Sequence, residues 1–402
     1  MHRRILILAL SAAFVLPAFG QTRPASAPAF RPPAVPLVAV DPYFSIWSFA
    51  NHLTYDRTRH WSGAPMAMQS LIRVDGATYR IMGTDPSNVQ PARQVSLRVL
   101  PTQTNYEFEA GGVEVNLDFL TPDLPHDLAV LSRPVTYLTW TVRSVDGKPH
   151  DVRLFYGNNG ELAANAPDEL VTASVPKIAG LTAVKMGTEA QSILAKAGDR
   201  IKINWGYLYA AAPEQQRTFA EAGTERILLR TFVSQGGLPG GMSGGVRPVP
   251  STARNVGIAF VFGLGSVAAQ PVSRHLILAY DEIYPIEYFH QRLRPWWRHN
   301  GATANDLLES AERDYPQLAA RSQAFDQKLM EGLTQAGGRE YAAVAALAYR
   351  QAFAANKLAI GPKGEPLMFL KEISSCGCAQ TADVIYPESP LLLLVNPKLL
   401  EY

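Results

Sequence analysis

The sequence predicts a two-part β + α protein, in which an antiparallel β-sandwich precedes a helical region. From residue 36 to 272, short apolar runs alternate with turn signals about every ten residues, a pattern typical of sandwiches and not of βαβ units. From about His275 onward, apolar residues recur at spacings of three and four, which indicates amphipathic helices. We therefore place the sandwich at 36–272 and the helical region at 273–402.

The first segment, 1–20, has the pattern of an export signal. Arg3 and Arg4 precede an apolar run of signal-peptide length, and small residues follow before Gln21. The alternative is an N-terminal membrane anchor, but this run is shorter than the about 20 apolar residues that a span needs. We expect an exported protein, periplasmic or extracellular, with no membrane partner after leader removal. Residues 21–35 are rich in Pro and Ala, which predicts an extended linker.

Composition limits the classes of partner. The chain has 402 residues, of which 47% are hydrophobic, enough for two domains with sizeable cores. The formal net charge is +2, and removal of the leader takes away two arginines and no acid. Phosphate binding needs a concentrated positive surface, and no basic stripe with interleaved aromatics is present. We therefore expect no nucleic-acid partner.

Local signals mark a hairpin and the ends of a helix. Asp75-Gly76 lies between two alternating runs, which predicts a tight hairpin turn. Thr303 with Asp306 predicts a helix start, and Gly337-Gly338 predicts a stop. The residues that we expect on one face of the following helix are Tyr341, Val344, Ala345, Ala348 and Phe353.

Several strings occur in an order known from one protein family. In chain order they are VPLVAVDPYFSIWS, TRHWSGAPMAMQSLIRVDG, LAYDEIYPIEYF, WWRHNG, FDQKL, GGREYAAVAALAYRQAFAANKL and FLKEISSCGCAQTADVIYPESPLLL. They cover most of Pro36 to Tyr402 and resemble the glutaminase A family of exported fungal and bacterial enzymes. The resemblance implies a β-sandwich followed by an α/α, six-hairpin-like toroid. Family members continue beyond Tyr402, so it also implies a chain truncated at its C-terminus.

The resemblance implies an activity as well, the hydrolysis of L-glutamine to L-glutamate and ammonia. L-glutamine or a similar polar molecule is then the expected substrate. Several glycoside hydrolases share the layout of a sandwich followed by a toroid, and they need paired carboxylates. Asp281, Glu372 and Asp383 meet that need, so a carbohydrate-active enzyme is the alternative. A non-catalytic binding or remnant protein is the third possibility.

The stretch Phe369–Pro390 concentrates groups suited to amide hydrolysis, which needs a base, an acid and oxyanion donors. Glu372 lies near its start, and Asp383 follows after a loop that can fold back, so we predict these two carboxylates as the catalytic pair. The alternative is that the polar groups satisfy one another in a buried turn. The predicted substrate-binding groups of this stretch are Lys371, Ser374 and Ser375.

The two cysteines, Cys376 and Cys378, lie in the same stretch but lack C-x-x-C spacing and nearby histidines. We expect small buried thiols; a strained disulfide and a catalytic or metal-binding pair are the alternatives. No sequence feature calls for a cofactor or a metal ion.

Aromatic and charged residues also cluster in the sandwich part. A wall of a polar-substrate pocket is one interpretation, and packing within and between domains is the other. The residues predicted to bind substrate here are Arg59, His60, Trp61 and, at the end of the β part, Asp281.

Overall fold

The computed structural model of the chain describes residues 31–198, 200–240, 251–371 and 378–402. The strands are β1 (Val35–Ala39), β2 (Ser45–Ser48), β3 (Arg59–His60), β4 (Met68–Val74), β5 (Ala77–Met82), β6 (Gln90–Pro91), β7 (Arg93–Val99), β8 (Gln103–Ala110), β9 (Val113–Leu120), β10 (Val135–Ser144), β11 (His150–Asn159), β12 (Leu170–Ser174), β13 (Leu181–Thr188), β14 (Tyr207–Pro213), β15 (Thr218–Thr224), β16 (Ser251–Thr252), β17 (Val256–Val267), β18 (Val272–Asp281), β19 (Ile286–Tyr288), β20 (Gln291–Leu293), β21 (Asn356–Ile360) and β22 (Pro366–Leu370). The helices are α1 (Leu128–Leu131), α2 (Glu225–Gln235), α3 (Ala304–Ala355) and α4 (Ala382–Val395).

Two large sheets form the predicted sandwich. One has nine strands in the order β16-β12-β13-β14-β18-β10-β9-β8-β7, and the other has six in the order β15-β17-β11-β4-β5-β6. Side chains alternate between buried and half-buried along β8 and β9, as the two faces of a pleated strand require. Trp140 lies fully buried in the core, where its Nε1 donates to Ser70 Oγ of the six-stranded sheet at 3.0 Å. The β part followed by helices confirms the predicted fold class.

The predicted hairpin turn joins β4 to β5. Asp75 and Gly76 have φ values of 48° and 88°, the left-handed pair that a tight two-residue hairpin needs. A side chain at Gly76 would be strained in this conformation, so glycine fixes the turn.

Helices cover the outer faces of both sheets. The short helix α2 interrupts the β part and packs Phe232 against Phe155 of the six-stranded sheet, with ring centroids 5.1 Å apart. The first half of α3 lies on the nine-stranded sheet, where Tyr137 donates its hydroxyl to Ala311 O at 2.8 Å. His275 stacks on Tyr315 at 4.2 Å. The helical region is therefore anchored on the sandwich by packed side chains.

The predicted helix ends are confirmed. Thr303 and Asp306 form a capping box at the start of α3, and Gly338, with φ of 85°, interrupts the helix at the predicted stop. The predicted buried face of the second half is wrong. Tyr341 and Val344 are exposed at 52% and 53%. Of the predicted residues only Phe353 is buried, and the other buried residues of this half include Ala342, Ala346, Tyr349 and Arg350.

The β part extends past the predicted boundary at residue 272. Strand β18 runs to Asp281 and pairs with β10 and β14 in the middle of the nine-stranded sheet. Further on, β21 and β22 form a hairpin between α3 and α4. Tyr349 of α3 donates its hydroxyl to Asp123 O at 2.5 Å, which ties the helices to the sandwich beside this hairpin.

Within the described ranges, no helix has both the length and the apolar content needed to cross a membrane.

Candidate functional site

Charged side chains from three distant segments meet where the sandwich joins the helical region. Asp41 follows β1, Glu282 follows β18, and Lys357 lies in β21. We call these three residues the junction cluster. Asp41 and Glu282 are 0% exposed and Lys357 is 9% exposed, so the charges are held almost entirely out of water.

Lys357 holds the two carboxyl groups of the junction cluster. Its Nζ lies 3.3 Å from Asp41 Oδ2 and donates to Glu282 Oε1. Asp41 Oδ1 accepts from the backbone N–H groups of Tyr43 at 2.8 Å and Phe44 at 3.0 Å, which fixes the turn after β1. Glu282 Oε2 has no hydrogen-bond partner within the described residues. Asp41 is thus the better stabilised anion of the two.

The two carboxyl groups have pKa values displaced in opposite directions. Burial alone would raise the pKa of Asp41, but the Lys357 ammonium, a hydrogen bond with Glu282 and the two N–H donors lower it to about 2. Burial and the charge of Asp41 raise the pKa of Glu282 well above its usual range. Carboxyl pairs separated in this way occur at acid/base sites and in structural ion clusters. The Lys357 ammonium therefore pairs with an ionised Asp41, and Glu282 takes up a proton more readily than an ordinary carboxyl group does.

Little space adjoins the junction cluster itself. A cavity of about 20 Å³ lies beside Lys357 and is lined also by Val40, Asn356 and Met368. A polar cavity of this size holds about one water molecule. Among the described side chains, the junction cluster itself therefore leaves no room for a ligand larger than a water molecule.

The stretch predicted to carry the chemistry begins beside the junction cluster. Lys371 Nζ lies 5.4 Å from the centroid of the Tyr43 ring, which in turn packs against Trp205 at 5.2 Å. Cation–π contacts of this kind hold an ammonium over an aromatic face. The structure thus brings the start of Phe369–Pro390 onto the segment after β1, whose turn Asp41 fixes.

The described residues on the two sides of 372–377 pair with each other. Lys371 forms an isolated antiparallel bridge with Ala379. Leu370 N donates to Gln380 Oε1, and Gln380 N donates to Leu370 O, both at 2.8 Å. The chain therefore folds back before Asp383, which is exposed in the first turn of α4. This return is what the predicted pairing of Glu372 with Asp383 requires, and the pairing stays a prediction.

Some predicted residues lie outside the described ranges. These are Glu372, Ser374, Ser375 and Cys376. Cys378 is described and is disulfide-bonded, so the expectation of buried free thiols is wrong for this residue. Among the residues that the structure describes, no three or more His, Cys, Asp or Glu side chains are grouped so as to hold a metal ion.

The predicted sandwich residues differ in their surroundings. Arg59 forms an ion pair with Asp56 at 2.8 Å. His60 is fully buried, with Nδ1 2.7 Å from Ser62 Oγ, and burial lowers its pKa to about 4. Trp61 Nε1 is buried without a hydrogen-bond partner in the described part of the chain. Whether these residues bind substrate stays a prediction.

Asp281, another predicted substrate-binding residue, is also buried. It accepts from Arg298 Nη2 at 2.6 Å through Oδ2 and from Ile283 N at 3.1 Å through Oδ1. Its carboxylate is therefore occupied by an ion pair beside Glu282. This partner leaves Asp281 better placed to fix the end of β18 than to meet a ligand.

Sequence reasoning missed Lys357 and Arg298, the cations that pair with these carboxylates. One signal was present for Lys357, which directly precedes the apolar run LAI. A lysine is rarely buried unless it has a charged partner. The string alone did not show that the partners are Asp41 and Glu282, which lie 316 and 75 residues away in the chain.

Three family models match the chain. Residues 102–332 match a domain of unknown function, DUF5127, and residues 8–93 match another, DUF4964. Residues 338–402 match a model described as the glutaminase A six helical-hairpin domain. The last match begins at Gly338, where α3 is interrupted.

Two curated proteins are similar to most of the chain. Glutaminase A of Aspergillus oryzae is 30% identical over 386 residues, which is 92% of this chain and 55% of the relative. A protein provisionally named a glutaminase from Arthroderma benhamiae is 25% identical over 415 residues, 94% of this chain and 47% of the relative. The chain thus spans about half the length of the curated relatives it matches. A solved structure provisionally named a kojibiose phosphorylase, from the human microbiome, covers 76% of this chain and 34% of its own at 8% identity, with a TM-score of 0.38.

Proposed function

Since the chain belongs to the glutaminase A family, we propose that it forms part of an exported amidohydrolase that converts L-glutamine to L-glutamate and ammonia. The observation that carries the proposal is the convergence of two segments. Lys371, which precedes the predicted catalytic Glu372, stands over Tyr43 next to the buried charges of the junction cluster.

The proposed substrate site lies between Lys371 and Asp383. Glu372 activates the attacking water, and Asp383 supplies the proton that the leaving ammonia needs, because amide hydrolysis requires both a base and an acid. Ser374 and Ser375 donate hydrogen bonds to the substrate. Support for this arrangement comes from the pairing of the described residues on the two sides of 372–377, which returns the chain towards Lys371.

The junction cluster is proposed to position this site. Asp41 fixes the turn that carries Tyr43, and Lys357 joins that turn to β21 of the same hairpin that leads to Lys371. Loss of the junction cluster would shift Tyr43 relative to Lys371. A misplacement of about 1 Å at a catalytic site can lower a rate about a hundredfold.

We also propose that the mature chain begins near Gln21 and is located in the periplasm or outside the cell. The export pattern of residues 1–20 supports this, and so does the disulfide at Cys378, because disulfides persist in oxidising compartments. N-terminal sequencing of protein recovered from the periplasm or medium tests it. Mature protein that retains Met1 and is found in the cytoplasm would contradict it.

The activity is tested by product analysis on the purified mature chain, which begins near Gln21. L-glutamine, L-asparagine and a panel of oligosaccharides are each incubated with it, and ammonia and reducing sugar are measured. Ammonia release from L-glutamine is expected. Sugar release without ammonia would move the protein to the carbohydrate-active alternative. A folded chain that releases neither product would contradict the proposal for this chain.

A further inference from the structure

A second group of buried polar side chains lies in the sandwich and shares no residue with the junction cluster. It lines a pocket of about 540 Å³, which we call the sandwich pocket. Small-molecule sites have volumes of about 300–1,000 Å³. The side chains that define its chemistry are Arg57, Gln69, Asp85, Glu161, Glu225 and Arg254.

The buried side of the sandwich pocket offers a free hydrogen-bond acceptor. Gln69 is 4% exposed, and its Nε2 donates to Glu225 Oε1 at 2.9 Å. Its Oε1 is buried and has no donor within the described residues. A buried amide oxygen without a donor is destabilising, so the pocket favours a ligand that brings an N–H donor to it.

Two carboxyl groups line the less exposed part of the pocket, that of Glu161, which is buried, and that of Glu225, which is half-buried. Burial first, and then the charges of Asp85 and Glu161, raise the pKa of Glu225 to about 8. Lys202 also lines the pocket, but its Nζ donates to the backbone oxygens of Pro65 at 2.8 Å and of Glu161 at 3.1 Å. The lysine is therefore engaged by the backbone, and the carboxyl groups favour an additional cation.

The exposed lining of the sandwich pocket contains two guanidinium groups and the carboxyl group of Asp85. Arg57 and Arg254 line it and are exposed. Guanidinium groups bind carboxylates through paired hydrogen bonds, which gives them geometric selectivity for that group. A ligand that spans the pocket thus meets acceptors at its buried end and cationic donors at its exposed end.

We propose that the sandwich pocket binds a free α-amino acid. The ligand's ammonium group donates to Gln69 Oε1 and to the carboxyl groups of Glu161 and Glu225, and its carboxylate contacts the guanidinium groups at the exposed end. A bound ammonium favours the ionised form of Glu225, so binding near pH 7 releases a proton. This inference does not rest on the proposed amidohydrolase activity.

Isothermal calorimetry with L-alanine tests the proposal, because this ligand has both charged groups and no side-chain amide. Ethylamine and propionate serve as half-ligands that carry one of the two groups each. L-alanine is expected to bind saturably at millimolar concentration, and each half-ligand at least tenfold more weakly. Its binding heat should vary with the ionisation enthalpy of the buffer, and Glu225→Gln should abolish that variation.

Variants locate the binding. Glu161→Gln should weaken the binding of L-alanine at least tenfold. Glu109→Gln, on β8 and outside the pocket, should leave this binding unchanged. If Glu161→Gln does not fold, Arg254→Gln at the exposed end is used in its place. This variant should weaken the binding of L-alanine but not that of ethylamine. Absence of saturable binding, ethylamine binding as tight as L-alanine, or undiminished binding by the folded pocket variants would overturn the proposal. Enzyme activity is not read in this experiment, so its failure is separate from failure of the amidohydrolase proposal.

Discussion

The junction cluster and the sandwich pocket both bury a lysine among carboxyl groups, yet they differ in how the charges are paired. Lys357 meets two carboxyl groups, and the adjoining cavity measures about 20 Å³. Lys202 meets two backbone oxygens, and the adjoining pocket measures about 540 Å³. The difference teaches that buried charge alone does not identify a binding site. Unpaired acceptors together with room for a ligand do so.

Loss of the Lys357 ammonium should have the largest effect. Lys357→Met leaves Asp41 buried without its cation, and breaking a buried ion pair from one side costs about 3–5 kcal/mol. Thermal and denaturant unfolding measure the loss, with the exposed Lys363→Met in the loop between β21 and β22 as the matched control. A stability equal to wild type would mean that the cluster does not hold the junction together.

The second largest effect concerns the buried His60, which should make the free energy of unfolding depend on pH. Burial, together with the charge of Lys202, holds the folded pKa at about 4, against 6.5 when unfolded, although the charge of Asp41 opposes this. As the pH falls, His60 is therefore protonated in the unfolded chain before it is protonated in the folded chain. The free energy of unfolding decreases between pH 6.5 and 4, by up to about 3 kcal/mol.

His60→Gln removes this titration. The difference in unfolding free energy between wild type and the variant, measured across that pH window, should therefore shrink as the pH falls. A difference that stays constant from pH 7 to 4 would show that His60 is not the responsible group.

Replacement of Lys202 should have the smallest effect of the three. Lys202→Met removes the hydrogen-bond donor of two carbonyl groups, but no buried carboxylate among the described residues is hydrogen-bonded to this lysine. We therefore expect the free energy of unfolding to fall by about 1–3 kcal/mol. Urea unfolding of Lys202→Met and Lys357→Met side by side measures the contrast. An equal or larger loss for Lys202→Met would remove the distinction between the two sites.

Features governed by neighbouring residues could be predicted from the sequence. The Asp75-Gly76 turn and the Thr303–Asp306 capping box each depend on a few consecutive residues, and both were predicted correctly. The buried face of the second half of α3 was not predicted correctly. Ala342 and Ala346 are buried in place of Val344, because the direction in which the interrupted helix leaves Gly338 sets the face, and helical spacing alone does not.

The candidate site was predicted in part, for a related reason. The sequence drew attention to Asp281 and to the stretch that begins at Phe369, both within strings that carry local patterns. Lys357 and Arg298 were missed because their carboxylate partners come from other elements of the fold. Side-chain pairing across long chain separations is set by tertiary packing, and a single sequence does not display it.

The most direct test of the central claim, that the segment after β1 and the loop after Lys371 form one amidohydrolase site, is the ammonia-release rate of Glu372→Gln. Loss of a general acid or base lowers a rate by about 10²–10⁴-fold, so the variant should lose at least about a hundredfold in activity with an unchanged thermal midpoint. Glu287→Gln, an exposed acid on β19, is the matched control and should stay active. An active Glu372→Gln enzyme, or an activity loss that tracks unfolding, would contradict the account.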